Sequence, residues 1–82
     1  MSISDKVIAA IALKGKQKTD SAAALGISTQ AFNNKMYRGT FNADGLIKIA
    51  DELNYELAFI DKYGQKIILM PSDLQEEKEM IK

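Results

Sequence analysis

The stretch from Lys18 to Arg38, KTDSAAALGISTQAFNNKMYR, constrains the fold more than any other part of the chain. Gly26 stands between two segments free of Gly and Pro. Glycine accepts the left-handed conformation in which many helices end, so a first helix from about Lys18 is expected to stop after Leu25. Ile27 then turns an apolar side chain inward. Ser28 is placed to cap a second helix, its hydroxyl accepting from a free backbone N–H one turn on. At about 100° per residue, Ser28, Ala31, Phe32, Lys35 and Met36 share one side of that helix. Thr29, Gln30, Asn33, Asn34 and Tyr37 share the other.

The two sides differ in chemistry. Ala31, Phe32 and Met36 make the first a burying face. The second is uncharged and dense in donors and acceptors. Asn and Gln amides can bond adenine N6 and N7 as a pair, and Thr can bond a base edge or touch the thymine methyl. A solvated helix face more often carries Glu and Lys; a polar surface with no partner is the plain alternative.

Charge supports the first reading once its distribution is considered. Eleven Lys and Arg balance eleven Asp and Glu. Residues 1–41 hold six of the cations and two of the acids, whereas residues 42–82 hold five and nine. The half containing the turn is therefore the positive half, as phosphate contacts require. Lys16 and Lys18 fall at the start of the first helix of the pair, where free N–H groups already favour an anion. Arg38 and Thr40 flank Gly39, an expected helix stop, and can hold phosphate, as can the Tyr37 hydroxyl.

The remainder reads as support. Ser4 and Asp5 suit the start of a helix whose buried stripe is expected to be Val7, Ile8, Ile11 and Ala12, ending at Lys14 and Gly15. Ala22 to Ala24 have little bulk, so the two helices around Gly26 can approach closely. Phe41 returns to the core, Asn42 caps a further helix buried through Leu46, Ile47, Ile49, Ala50 and Leu53, and Asn54 is a plausible left-handed stop.

The pattern then changes. Tyr55–Ile60 and Gln65–Met70 are β-branched, aromatic or apolar, separated by Asp61, Lys62, Tyr63 and Gly64, which reads as a hairpin. Leu57 and Phe59 share one face, Ala58 and Ile60 the other. One face can lie on the helices; an isolated hairpin is marginal, and the other face with its open edge calls for a partner. A second copy of the chain is the simplest one, with Leu57, Phe59, Ile60, Ile67, Ile68 and Leu69 as the dimer interface. Pro71 ends the hairpin, Ser72 to Gln75 have capping-box spacing, and an acidic tail follows. The expected organisation is one domain: a helical part over residues 1–54, the hairpin over 55–70 and the tail over 71–82.

Several classes are disfavoured. The chain has no cysteine and no histidine, which removes disulfides, thiolate metal sites and the commonest general base. No Gly-rich phosphate loop or metal-ligand spacing is present, so no enzyme, metal or cofactor is expected. No apolar run approaches the ~20 residues that span a bilayer, and the N-terminus lacks a basic, then apolar, leader. A cytoplasmic chain is the expectation.

Lys18–Arg38 resembles the helix-turn-helix of the phage-repressor-like, or xenobiotic-response-element, family. The resemblance rests on Ala22, Leu25-Gly26-Ile27-Ser28, Phe32, Met36 and Arg38-Gly39, and continues through FNADGLIKIADELNYELAF, covering roughly residues 5 to 60. Ser21, where that family has an apolar residue, Lys35, at a commonly apolar position, and Gln17, where Thr or Ser caps, depart from it. The resemblance implies a mainly α fold: a compact four- to five-helix lambda-repressor-like domain, here followed by the hairpin and tail. It further implies a homodimeric transcriptional regulator of double-stranded DNA, a repressor, with the second helix in the major groove. Thr29, Gln30, Asn33 and Asn34 would then read bases, and Lys16, Lys18, Ser28, Tyr37, Arg38 and Thr40 would meet phosphates. The same fold also serves antitoxins and phage-type antagonists, so a protein-interaction module is the alternative.

Overall fold

The four helices between Ile3 and Glu52 are each followed by a left-handed residue, and those four stops lay out the architecture. The computed structural model describes residues 2–74. It contains α1 (Ile3–Leu13), α2 (Lys18–Leu25), α3 (Thr29–Arg38) and α4 (Ala43–Glu52), followed by strands β1 (Leu57–Ile60) and β2 (Lys66–Leu69). Gly15, Gly26, Gly39 and Asn54 follow the four helices with φ of 66°, 72°, 67° and 61°. At Gly26 the geometry closes completely: its N–H donates to the Ala23 carbonyl, and the Ile27 N–H donates to the Ala22 carbonyl. Carbonyls that a helix end would otherwise leave unpaired are thereby satisfied within the chain, and the path reverses into α3.

The starts are equally local. Ser28 Oγ accepts from the Ala31 N–H at 3.1 Å and Asn42 Oδ1 from the Gly45 N–H at 2.8 Å, as expected. At α2, where Gln17 stands in place of a hydroxyl cap, Asp20 Oδ2 accepts from the Gln17 N–H at 3.0 Å. At α1 the expectation needs correction. Ser2, not Ser4, is the cap: Ser2 Oγ accepts from the Asp5 N–H, and Asp5 Oδ2 accepts from the Ser2 N–H. Ser4 lies within the first turn and is buried, its hydroxyl donating to the Met36 carbonyl at 2.6 Å. That carbonyl is among the last four of α3, which have no partner inside their own helix. Ser4 thus ties the first turn of α1 to the end of α3.

The core gathers Val7 and Ile11 of α1, Ala22 of α2, Phe32 and Met36 of α3, and Ile49 and Leu53 from α4 and its end. Phe32 is fully buried and meets Phe41 edge-on, ring centroids 6.0 Å apart. The α1 stripe is narrower than expected: Ile8 and Ala12 are exposed, and Ser4, Val7 and Ile11 form the buried line. Of the three alanines in α2, only Ala22 is buried. Ser21 is also fully buried, and its hydroxyl donates to Glu52 Oε1 at 3.2 Å.

The strands pair antiparallel in the register Leu57–Leu69, Ala58–Ile68, Phe59–Ile67 and Ile60–Lys66. They are shorter than the apolar runs because each outer residue serves another element. The Tyr55 N–H donates to the Ala50 carbonyl and completes the end of α4. The Met70 N–H donates to Asp73 Oδ2 at 2.8 Å, opening a helical turn over 71–74. That turn starts at Pro71, whose missing N–H is harmless in a first helical position; Ser72 lies inside it, and Gln75, the other end of the expected capping box, falls outside the described residues. The acidic tail expected from residue 75 onward lies outside the described residues.

Burial in the hairpin also differs from expectation. The division runs along the strands rather than between faces: Leu57, Ala58, Ile68 and Leu69 are half-buried at the base, whereas Phe59, Ile60 and Ile67 are exposed toward the turn. The base lies against α4, where Ile47 is buried outside the main core and borders a cleft with Leu57, Ile68 and Leu69. The tip projects. Asp61 holds the turn by accepting from the Tyr63 and Gln65 N–H groups at 2.9 and 3.0 Å.

Candidate nucleic-acid interface

Because Phe32 and Met36 anchor α3 from beneath, the opposite side of that helix has one orientation available to it, outward. Thr29, Gln30, Asn33 and Asn34 are all exposed. Among the described residues, no intramolecular hydrogen bond engages their side chains. Gln30, Asn33, Asn34 and Tyr37 follow at intervals of three and four, so they form one line along the helix. Tyr37 is 93% exposed, an unusual position for an aromatic ring that no burial explains.

The cationic and hydroxyl residues expected at phosphates are exposed as well: Lys16, Lys18, Ser28, Arg38 and Thr40. The fold collects them at the margins of α3. Ser28 sits at its start, and Arg38 and Thr40 sit at its end, where the Thr40 N–H donates to the Lys35 carbonyl at 3.2 Å. Lys18 opens α2, the helix that packs on α3. No Asp or Glu occurs between Asp20 and Asp44, so no carboxylate on this segment opposes an anion.

Two of the ten residues are less free than their sequence suggested. Lys16 Nζ lies 3.1 Å from Glu52 Oε2. Ser28 Oγ is engaged as a cap, leaving its proton as the group it can offer outward. Glu52 is mostly covered, one oxygen facing Ser21 and the other Lys16. This clasp joins the end of α4 to α2 and to the loop before it. Ser4, Ser21 and Glu52 are thus positioning residues for the α2–α3 surface. Only the spacing of Ser4 with Val7 and Ile11 could have marked one of them in advance. A further cation is committed elsewhere: Lys14 Nζ stands 4.7 Å from the Tyr55 ring centre, and the Tyr55 hydroxyl reaches the Ala10 carbonyl at 3.4 Å.

The surface offers amide and hydroxyl groups flanked by cations. Among the described residues, no group of acids is placed to hold a metal ion, and no helix is long and apolar enough to cross a membrane. Comparison with family models, with curated proteins and with solved structures returned no match.

Proposed function

We propose that this chain is a sequence-specific double-stranded DNA-binding regulator, a repressor acting in the cytoplasm as a homodimer, with α3 in the major groove. The observation that carries the reading is the outer face of α3: Thr29, Gln30, Asn33 and Asn34 exposed together, without internal hydrogen bonds among the described residues, over a helix locked by Phe32 and Met36. Side chains that are rigidly mounted and chemically unspent are what base-edge recognition requires. Lys18, Arg38, Tyr37 and Thr40 contact phosphates on either side and set the register, and Ser28 adds its hydroxyl proton. Lys16 joins them by exchanging Glu52 for phosphate.

The dimer forms through the hairpin, whose Phe59, Ile60 and Ile67 are exposed among the described residues. Two-fold symmetry then predicts a pseudo-palindromic site with half-sites about 34 Å apart or a multiple of it. Selection of binding sites from a random duplex library at moderate salt tests the reading. Recovery of one pseudo-palindrome is expected; sequence-blind binding alone would sink it. The same exposed tip favours a second reading, an interaction module of the antitoxin or antagonist type, whose signature would be a stable complex with an unrelated protein that survives purification in place of site-specific DNA binding.

A further inference from the structure

We propose that two copies associate by seating the Phe59–Ile67 pair of each hairpin tip in an apolar groove beside the hairpin base of the other. The inference rests on the hairpin dimer proposed above and names the surface that receives it. The groove has a volume of about 290 Å³ and runs between α1 and α4, with Ile3, Val7, Ala10, Leu46, Ala50 and Leu57 among its walls. The tip is the converse shape: Phe59 is 68% and Ile67 70% exposed, directly opposite each other in the register.

Strand parity puts the two features on one side of the molecule. Leu57 and Phe59 are two apart on β1 and so share a face, as do their cross-strand partners Leu69 and Ile67. Leu57 lines the groove, and Phe59 continues the same face roughly 7 Å farther along, at ~3.3 Å per residue. A two-fold axis through that face, between base and tip, brings each tip over the other's base. A projection and a recess on one face close at two copies; placed on different faces they would generate open chains.

Charge agrees with this arrangement. Lys6 and Glu56 both line the groove, but Glu56 is paired with Lys66 at 3.1 Å, and Asp61 stands two residues beyond Phe59. Asp61 Oδ1 is occupied by the turn, which leaves Oδ2 to meet a cation. Phe59 and Ile67 on the Leu57 face, and Tyr63 in the turn beyond them, each expose more than two thirds of their surface. With aromatic side chains worth ~150–250 Å² each, these three bring on the order of 400 Å² per copy. The groove walls add to that, which places the pair at the low end of interface size, below the ~800 Å² per partner of a standard interface.

The chain has no cysteine, so single thiols can be introduced cleanly. Full-length Phe59→Cys and Ala10→Cys chains would be mixed and treated with a short bis-maleimide, and sedimentation would be run on the parent chain and on Phe59→Asp. The expected result is a dimer whose dominant product links Phe59→Cys to Ala10→Cys. Phe59→Asp should raise the dimer dissociation constant on the order of 100-fold or more while leaving the circular dichroism unchanged. A dimer in which two Phe59→Cys chains link preferentially, with Ala10→Cys unreactive toward them, would overturn the groove docking and leave the hairpin dimer standing. A parent chain that sediments as a monomer throughout the micromolar range would overturn both.

Discussion

The outer face of α3 and the tip of the hairpin are both exposed, and solvent treats them very differently. Amides and hydroxyls on α3 are hydrated when free and lose little by waiting. Phe59, Ile60 and Ile67 at the tip keep apolar area in water, at roughly 25 cal/mol for each Å² left uncovered. The first surface stores specificity: its value depends on which donors and acceptors are presented to it. The second stores affinity, which any well-shaped apolar partner can release. Under the proposed function, having the two at separate places would let one small domain read with one end and assemble with the other. The mountings differ as well. The core residues Phe32 and Met36 hold α3, whereas only the base of the hairpin touches α4.

That contrast can be broken at its root. Phe32→Ala empties the fully buried site beneath α3 and is expected to destabilise the fold by about 3–5 kcal/mol, read by chemical denaturation. If instead the loss were under about 1 kcal/mol, α3 would not be held from below and the rigid-mount argument would fail. Ser4→Ala leaves the buried Met36 carbonyl without its donor and should cost about 1–3 kcal/mol. An unchanged denaturation midpoint would mean that the carbonyl finds water. The reading end is sharpened by a pair of substitutions. Gln30→Ala should cost about 1–3 kcal/mol at one base position, whereas Lys18→Ala should weaken every sequence alike and reduce the salt slope by about one. Uniform weakening from Gln30→Ala would remove it from the base-reading set. The smallest effect belongs to Glu52→Gln. It releases Lys16 from a partly exposed pair worth about 0.2–1 kcal/mol and should steepen the salt dependence of DNA binding by up to about one unit. A slope that does not move would exclude Lys16 from the phosphate contacts.

The parts of this fold legible in the sequence are those decided within a few residues. Gly26, Ser28, Gly39, Asn42 and Asn54 mark helix boundaries because each acts on the nearest turn. The two faces of α3 followed from periodicity alone. Distant partners were invisible. Ser2 and Ser4 are both hydroxyls near Asp5, and what separates them is that Ser4 answers a carbonyl 32 residues away. Nothing local distinguishes Lys16, which meets Glu52, from Lys18, which does not. Alternation in β1 predicted two faces but carried no information on how far the hairpin projects, because that depends on where α4 ends beneath it.

The left-handed helix stops have a further consequence, in the order of events when the molecule opens. A chain whose turns are encoded locally needs few distant encounters to find its shape, and folds fast for its size. The distant ties that hold α1 are Ser4 to Met36, Tyr55 to Ala10, and the packing of Val7 and Ile11. The α2–α3–α4 segment closes on itself without them. In native-state hydrogen exchange, the amides of α1 should therefore lose protection first, as a unit, while the turn at Gly26 still holds.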